Sequence, residues 1–205
     1  MPFLLAEILN FQGSTHRIGV GSFSKMSIPV FLSYPKPYKK NQEKFVEKLC
    51  SYLHNRGLEP RTLGVTDYDM KAPLAGIRRL MFESNGILTI AFRRGLIEKG
   101  AVKPDSDMGQ EKVIVDGKWM TSPFCHIEPA MAFQLGLPVL VFREKGVLDD
   151  GILEKGVLGL YMPEFDLDFS IDEYFHSEEF RQLLGSWEGR VRCVYERKGM
   201  PGSWF

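Results

Sequence analysis

Short apolar runs alternating with amphipathic segments predict an α/β fold, a flavodoxin-like three-layer sandwich around a central, mainly parallel five-stranded sheet. Two observations carry this reading. The runs Ile28–Ser33, Gly86–Phe92 and Pro138–Phe142 are apolar without alternation, as in strands covered on both faces. Each is separated from the next by helical spacing and short connections, which calls for right-handed crossovers.

The elements follow in order. Residues 1–26 are a lead-in, broken by Gly13, Gly19 and Gly21. Ile28–Ser33 is the first strand, ended by Ser-Tyr-Pro-Lys-Pro, and Asn41 is the expected N-cap of the next helix. Phe45, Val46, Leu49, Tyr52 and Leu53 recur at i, i+3/i+4 up to Arg56, with Gly57 as C′ residue. Leu58–Leu63 is a second strand and 64–72 a polar loop. Pro73 opens a helix whose stripe is Leu74, Ile77, Leu80 and Met81. After the third strand, residues 93–121 form an insertion, with an Asp116-Gly117 hairpin between Val113 and Trp119. A helix from Phe124 to Leu135, ended by Gly136, leads into the fourth strand. Leu158–Met162 is a weaker fifth strand, Ile171–Leu184 a late helix ending near Gly185, and Arg190–Glu196 an alternating edge strand. The expected organisation is therefore a domain over 27–185 and a C-terminal extension over 186–205, with Trp187, Trp204 and Phe205.

Composition excludes several function classes. The 205 residues carry 44% hydrophobic and 25% charged side chains, the profile of a soluble globular protein. Lysine plus arginine equals aspartate plus glutamate at 26 each, so no global field attracts nucleic acid or an anionic membrane. No apolar run is long enough to span a bilayer, and Met1–Leu9 lacks the basic start of a signal peptide. Cys50, Cys125 and Cys193 are odd in number and widely spaced, which fits a reduced, cytoplasmic protein without a disulfide framework. His16, His54, His126 and His176 have no metal-ligand spacing. Neither a glycine-rich phosphate loop nor a Gly-x-Ser-x-Gly elbow occurs.

What remains are the loops at the carboxyl ends of the strands, where open α/β sheets bind ligands. Ser33, Tyr34 and Lys36 follow the first strand; Thr66, Asp67, Tyr68 and Asp69 follow the second. Ser122, Phe124, Cys125, His126 and Glu128 follow the third strand and its insertion. Glu128, near the start of an apolar helix, is the acid best placed for chemistry, although a charge there can also be a mere capping partner. Asp67–Asp69 reads more readily as a solvated turn, and Arg78 and Arg79 as a solvated face. Adjacent helical residues point apart, so Cys125 and His126 do not form a nucleophilic dyad.

Three of these segments resemble a known family. Val30-Phe-Leu-Ser-Tyr34 resembles the first box of TIR domains. Ile77–Ser84 before Gly86–Phe92 resembles the TIR helix ending in Ser before the third strand. Phe124-Cys-His-Ile-Glu128 resembles the Trp-Cys/Val-x-x-Glu motif, with Phe124 in place of the tryptophan and Trp119 as a candidate second ring. The resemblance covers roughly residues 28–143. It implies Glu128 as catalytic residue, with Ser33, Tyr34, Asp67, Tyr68, Phe124, Cys125, His126 and Trp119 at the substrate. The implied activity is cleavage of the nicotinamide–ribose bond of NAD+, a substrate rather than a cofactor, releasing ADP-ribose or a cyclic or conjugated derivative. Self-association on activation is implied too, as is the sensor role of antiphage systems such as Thoeris, where a nucleotide messenger reaches a separate effector. The loop 67–70 would gate the site or mediate assembly. Glu128-Pro-Ala-Met-Ala is equally similar to nucleoside 2-deoxyribosyltransferases, which also cleave an N-glycosidic bond. A catalytically silent TIR adaptor is the third alternative.

Overall fold

The computed structural model describes residues 27–70 and 72–198. The lead-in over 1–26 and the terminal Trp204 and Phe205 lie outside them. In chain order the elements are β1 (Ile28–Ser33), α1 (Lys40–Asn55), β2 (Leu58–Arg61), α2 (Pro73–Glu83) and β3 (Ile87–Ala91). The insertion contributes β4 (Gly95–Leu96), β5 (Ala101–Val102), β6 (Val113–Ile114) and β7 (Trp119–Met120). Then come α3 (Phe124–Gln134), β8 (Val139–Glu144), β9 (Glu164–Phe165), α4 (Ile171–His176) and α5 (Glu178–Arg197).

The central sheet has five strands in the order β2-β1-β3-β8-β9, all parallel. Side chains alternate across it with period two. Val30, Leu32, Leu88, Ile90 and Phe142 enter the larger core with Phe45 and Leu49 of α1 and Phe175, Phe180, Leu184 and Trp187 of α4 and α5. Phe31 and Ile87 face the other way, against Ile77, Leu80 and Met81 of α2 and Ala132 of α3. The three-layer sandwich follows from this alternation. Gly57 and Gly136 end α1 and α3 at positive φ, 73° and 71°, as expected of C′ glycines.

Several expectations are corrected. Asn41 does not cap α1; Lys39 holds that position, and the Asn41 amide donates to the Leu167 carbonyl at 3.0 Å instead. The second strand ends at Arg61 because the Thr62 carbonyl accepts the amides of Val65, Thr66 and Asp67 and turns the chain. Leu74 is 51% exposed, and Gly76 joins the buried face of α2 in its place. The Asp116-Gly117 turn forms, with Gly117 at φ 72° and Lys118 N–H bonded to Val115 O at 3.2 Å. However, β6 and β7 do not pair with each other: β7 pairs with β4 and β6 with β5. The turn is thus an excursion within one arm of a longer ribbon, whose other arm lies upstream.

The C-terminal third differs more. The fifth strand is Glu164–Phe165 rather than 158–162, because Phe165 reaches the aromatic core while Leu160 and Tyr161 face solvent. The late helix breaks at Ser177, whose hydroxyl accepts the Phe180 amide and starts α5. The expected edge strand at 190–196 is helical. Phe180, Leu184, Trp187 and Val191 form a continuous i, i+3/i+4 stripe across Gly185, and burying it outweighs the glycine cost and the local alternation. Residues 186–197 of the expected extension are therefore turns of α5. Trp187 is fully buried, with its indole N–H donating to Pro138 O at 3.1 Å. Trp187→Ala is expected to destabilise the fold by about 3–5 kcal/mol, read as a lower denaturation midpoint in urea.

Candidate functional site

The carboxyl ends of β1, β2 and β3 and the start of α3 enclose a cleft of about 390 Å³. Tyr34, Pro35 and Lys36 line it from the segment after β1, Leu63 from the loop after β2, and Pro73 and Ile77 from α2. Arg94 enters from the residues after β3, and Ser122, Phe124 and Glu128 complete the wall. Local chemistry sets the position of α3. Ser122 lies just ahead of it, its hydroxyl accepting the Phe124 amide at 3.3 Å and its carbonyl the Cys125 amide at 2.9 Å. The Cys125 thiol donates to the Ile90 carbonyl at 3.7 Å, which fastens the first turn against β3. Phe124 and Glu128, four residues apart, then share one face.

Glu128 is 8% exposed, and no side chain of it caps the helix. Among the described residues no lysine or arginine forms an ion pair with it. Burial pushes its pKa up from the ordinary carboxylate range to about 7, and a hydrogen bond from the Ser33 side chain opposes that rise. The carboxyl is desolvated and nearly unpartnered, yet it opens on a cleft. A group of this kind is a functional-site candidate on physical grounds. Lys36 and Arg94, both exposed, form no ion pair among the described residues, so the lip carries two available cations beside one buried acid.

The structure brings together Glu128, Ser33, Tyr34 and Phe124 and places the other five candidates elsewhere. Tyr34 is half-buried, its hydroxyl bonded to the Thr62 side chain; burial first, then the nearby Cys50, raises its pKa. Asp67 is an ion-pair partner of Arg61, whose hydrogen bond holds its carboxyl below the usual range against desolvation. The same loop is tied to α2 by Arg79–Asp69 at 3.0 Å, and Tyr68 on it is 78% exposed. Cys125 is buried, its thiol pushed up to about 12 chiefly by desolvation, which leaves no thiolate for nucleophilic work. His126 faces the opposite side of α3, with Nε2 3.9 Å from Asp150 Oδ1. Trp119 stays on the ribbon, paired with Leu96, its ring packed beside the Val147 and Leu153 cluster and 5.7 Å from Lys39 Nζ. It does not line the cleft, whose aromatic rings are those of Phe124 and Tyr34. Arg94 is the residue that the sequence reading missed; its place directly after a parallel strand is the signal that could have found it. Among the described residues no cluster of three His, Cys, Asp or Glu side chains could hold a metal ion.

No protein-family model matches the chain, and no curated protein does. Solved structures give distant likenesses. The CMP N-glycosidase BcmB of Clostridium botulinum is 15% identical with a TM-score of 0.43, over 72% of this chain and 94% of that one. The TIR domains of the activated Roq1 resistosome, which directly recognizes the pathogen effector XopQ, are 14% identical with a TM-score of 0.38, over 86% of each chain. The flavoenzyme NAD(P)H:(acceptor) oxidoreductase FerB from Paracoccus denitrificans is 14% identical with a TM-score of 0.33, over 83% and 98%. At these scores the likenesses decide nothing about activity.

The raised pKa of Glu128 is also a stability statement. Its contribution is present in full below the ordinary value of 4.5 and is lost as pH rises through about 7. Glu128→Gln removes the cost of the buried charge. The variant is expected to be more stable than the wild type at pH 8, by on the order of 2 kcal/mol, and to lose that advantage near pH 4. Thermal unfolding at the two pH values measures it.

Proposed function

We propose that this chain is a TIR-like NAD+ nucleosidase in which Glu128 stabilises the ribosyl cation formed as nicotinamide leaves. The observation that carries the reading is the buried carboxyl of Glu128, bonded by Ser33 and without a basic partner, in a cleft walled by Phe124 and Tyr34. Breaking the C1′–N bond of NAD+ sends its electron pair to nicotinamide, which departs neutral and needs no general acid. Positive charge moves to the ribose, where a carboxylate in a poorly solvated cleft is worth far more than in water. The positively charged substrate itself favours the ionised form of Glu128, offsetting the effect of burial. Lys36 and Arg94 at the lip suit the diphosphate of such a substrate. Water or a ribose hydroxyl then captures the cation, giving ADP-ribose or a cyclised or conjugated derivative. A role of that product as a messenger in antiphage defence, with a separate effector and self-association of the sensor, belongs to the same proposal.

A second reading has its own observation. A carboxyl with a pKa of about 7 is still partly protonated at neutral pH, so it could serve as general acid for a neutral leaving base, as in a nucleotide N-glycosidase. The pH profile separates the two. An NAD+ nucleosidase that uses the carboxylate should gain kcat/KM as pH rises through about 7 and hold it above; general-acid cleavage of a nucleotide should lose it there. Incubation of the purified protein with NAD+ and with pyrimidine and purine nucleotides, followed by mass measurement of the products, identifies the substrate. Glu128→Gln is expected to cut nicotinamide release by about a hundredfold or more. Replacing Lys36 and Arg94 by alanine should raise KM with less effect on kcat. Equal turnover by wild type and Glu128→Gln would sink the assignment.

A further inference from the structure

The other side of α3 carries a second cleft, of about 430 Å³, that the proposed reaction does not use. Its floor is firm: Val147 and Leu153 are buried members of the cluster that also holds Ala91, Cys125 and Val141. Its walls are held in place by main-chain bonds. Trp119 N–H donates to Gly146 O at 2.9 Å, Leu148 N–H to Trp119 O at 2.8 Å, and Arg94 N–H to Met120 O at 2.9 Å. The first two bonds fasten the ribbon to the segment after β8 and the third joins the two arms of the ribbon itself, so the cleft is formed before any ligand arrives. Met120 and Ile127 remain 52% and 39% exposed on its sides, apolar surface that neither the sheet nor the ribbon covers.

The polar side chains lining this cleft are His126, Asp150 and Thr121. His126 and Asp150 face each other, Nε2 to Oδ1, at 3.9 Å, and the ring of His126 lies 3.3 Å from where a side chain at Gly151 would begin. Thr121 is occupied by the Cys125 thiol. No lysine or arginine lines the cleft, in contrast to the Glu128 side with Lys36 and Arg94. A preformed apolar cleft of this volume with one convergent polar edge is the usual form of a small-molecule site. With the Asp150 carboxylate on that edge and His126 as the only basic side chain among the lining residues, the cleft disfavours anions.

We infer that the cleft between α3, the ribbon and the segment after β8 binds a small, flat, apolar amine, its ring between Met120, Ile127 and Leu148 and its ammonium group at Asp150. This ligand class differs from that of the Glu128 cleft, so the inference does not depend on the proposed reaction.

The test uses three probes of one shape and different charge: tryptamine, indole and indole-3-acetate. Each is titrated into the full chain labelled with nitrogen-15, following the amides of Ile127, Leu148 and Gly151. Tryptamine is expected to shift these amides saturably and to bind roughly threefold more tightly than indole, since Asp150 is largely exposed, with indole-3-acetate weakest. Asp150→Asn should bring tryptamine to the level of indole. Ile127→Arg, at a half-exposed position, should abolish the shifts while the rest of the amide spectrum stays in place. The inference is overturned if none of the probes saturates, if indole-3-acetate binds as tightly as tryptamine, or if Asp150→Asn leaves the preference for tryptamine unchanged.

Discussion

The complete burial of β3 is the constraint from which the rest follows. Its five residues are all buried, with β1 on one side, β8 on the other and a helical layer above each face. A parallel strand in that position cannot be reached by a hairpin, so its neighbours arrive through α1, α2 and α3 as crossovers. All three connections then start from the same sheet edge. Ser33, Leu63 and Arg94, far apart in sequence, meet there because the same crossovers that cover Leu88 and Ile90 on one face and Ile87 and Ala91 on the other begin at that edge. The cleft is a by-product of how the core is closed.

Two buried glutamates near that edge differ in how the fold compensates their burial. Glu144, at the end of β8, accepts the Arg93 amide at 2.8 Å and the Gln42 amide at 3.3 Å, with the Arg93 guanidinium 3.7 Å away. Burial raises its pKa, but these bonds oppose the rise and join β3, β8 and α1 into one piece. Glu128 is buried almost as deeply and has only Ser33 to oppose desolvation. Of the two, the acid without such a network is the costlier one for the fold. Leaving one unpaired costs stability, and costs of that kind accumulate at functional sites.

Strand–helix alternation, Gly57 and Gly136 as C′ residues and the buried Phe45, Val46, Leu49 and Leu53 of α1 were legible in the sequence because each is set by local spacing. The same holds for Ser33 and Tyr34 at a recognisable strand end and for Phe124 and Glu128 in the first turns of a recognisable helix. Non-local choices were not legible. Nothing local tells whether the arm 113–120 pairs with itself or with 95–102. Nor does anything local distinguish the alternation of Val191, Cys193 and Tyr195 from the helical stripe through Trp187, which only the core at Pro138 resolves. Asp67, read as a solvated turn and set at the substrate only by the resemblance, is engaged by Arg61 at the end of β2, the strand that leads into its loop.

α3 itself turns on this difference between pattern and context. Phe-Cys-His-Ile-Glu-Pro-Ala-Met-Ala-Phe-Gln is apolar all round, the pattern of a helix with no solvent face. Yet only Cys125, Glu128, Pro129 and Ala132 are buried, while Phe124 and Ile127 remain substantially exposed. A helix that only closed the core would carry charge on its outer side. Here the outer surface of the first two turns is divided between two clefts, Phe124 and Glu128 in one, His126 and Ile127 in the other. Phe124 and Ile127 are then walls of those clefts, whereas Phe133, 66% exposed in the third turn, lines neither. In these first two turns the lack of a polar face, which the sequence presents as an ordinary buried helix, follows from a helix placed between two concave surfaces.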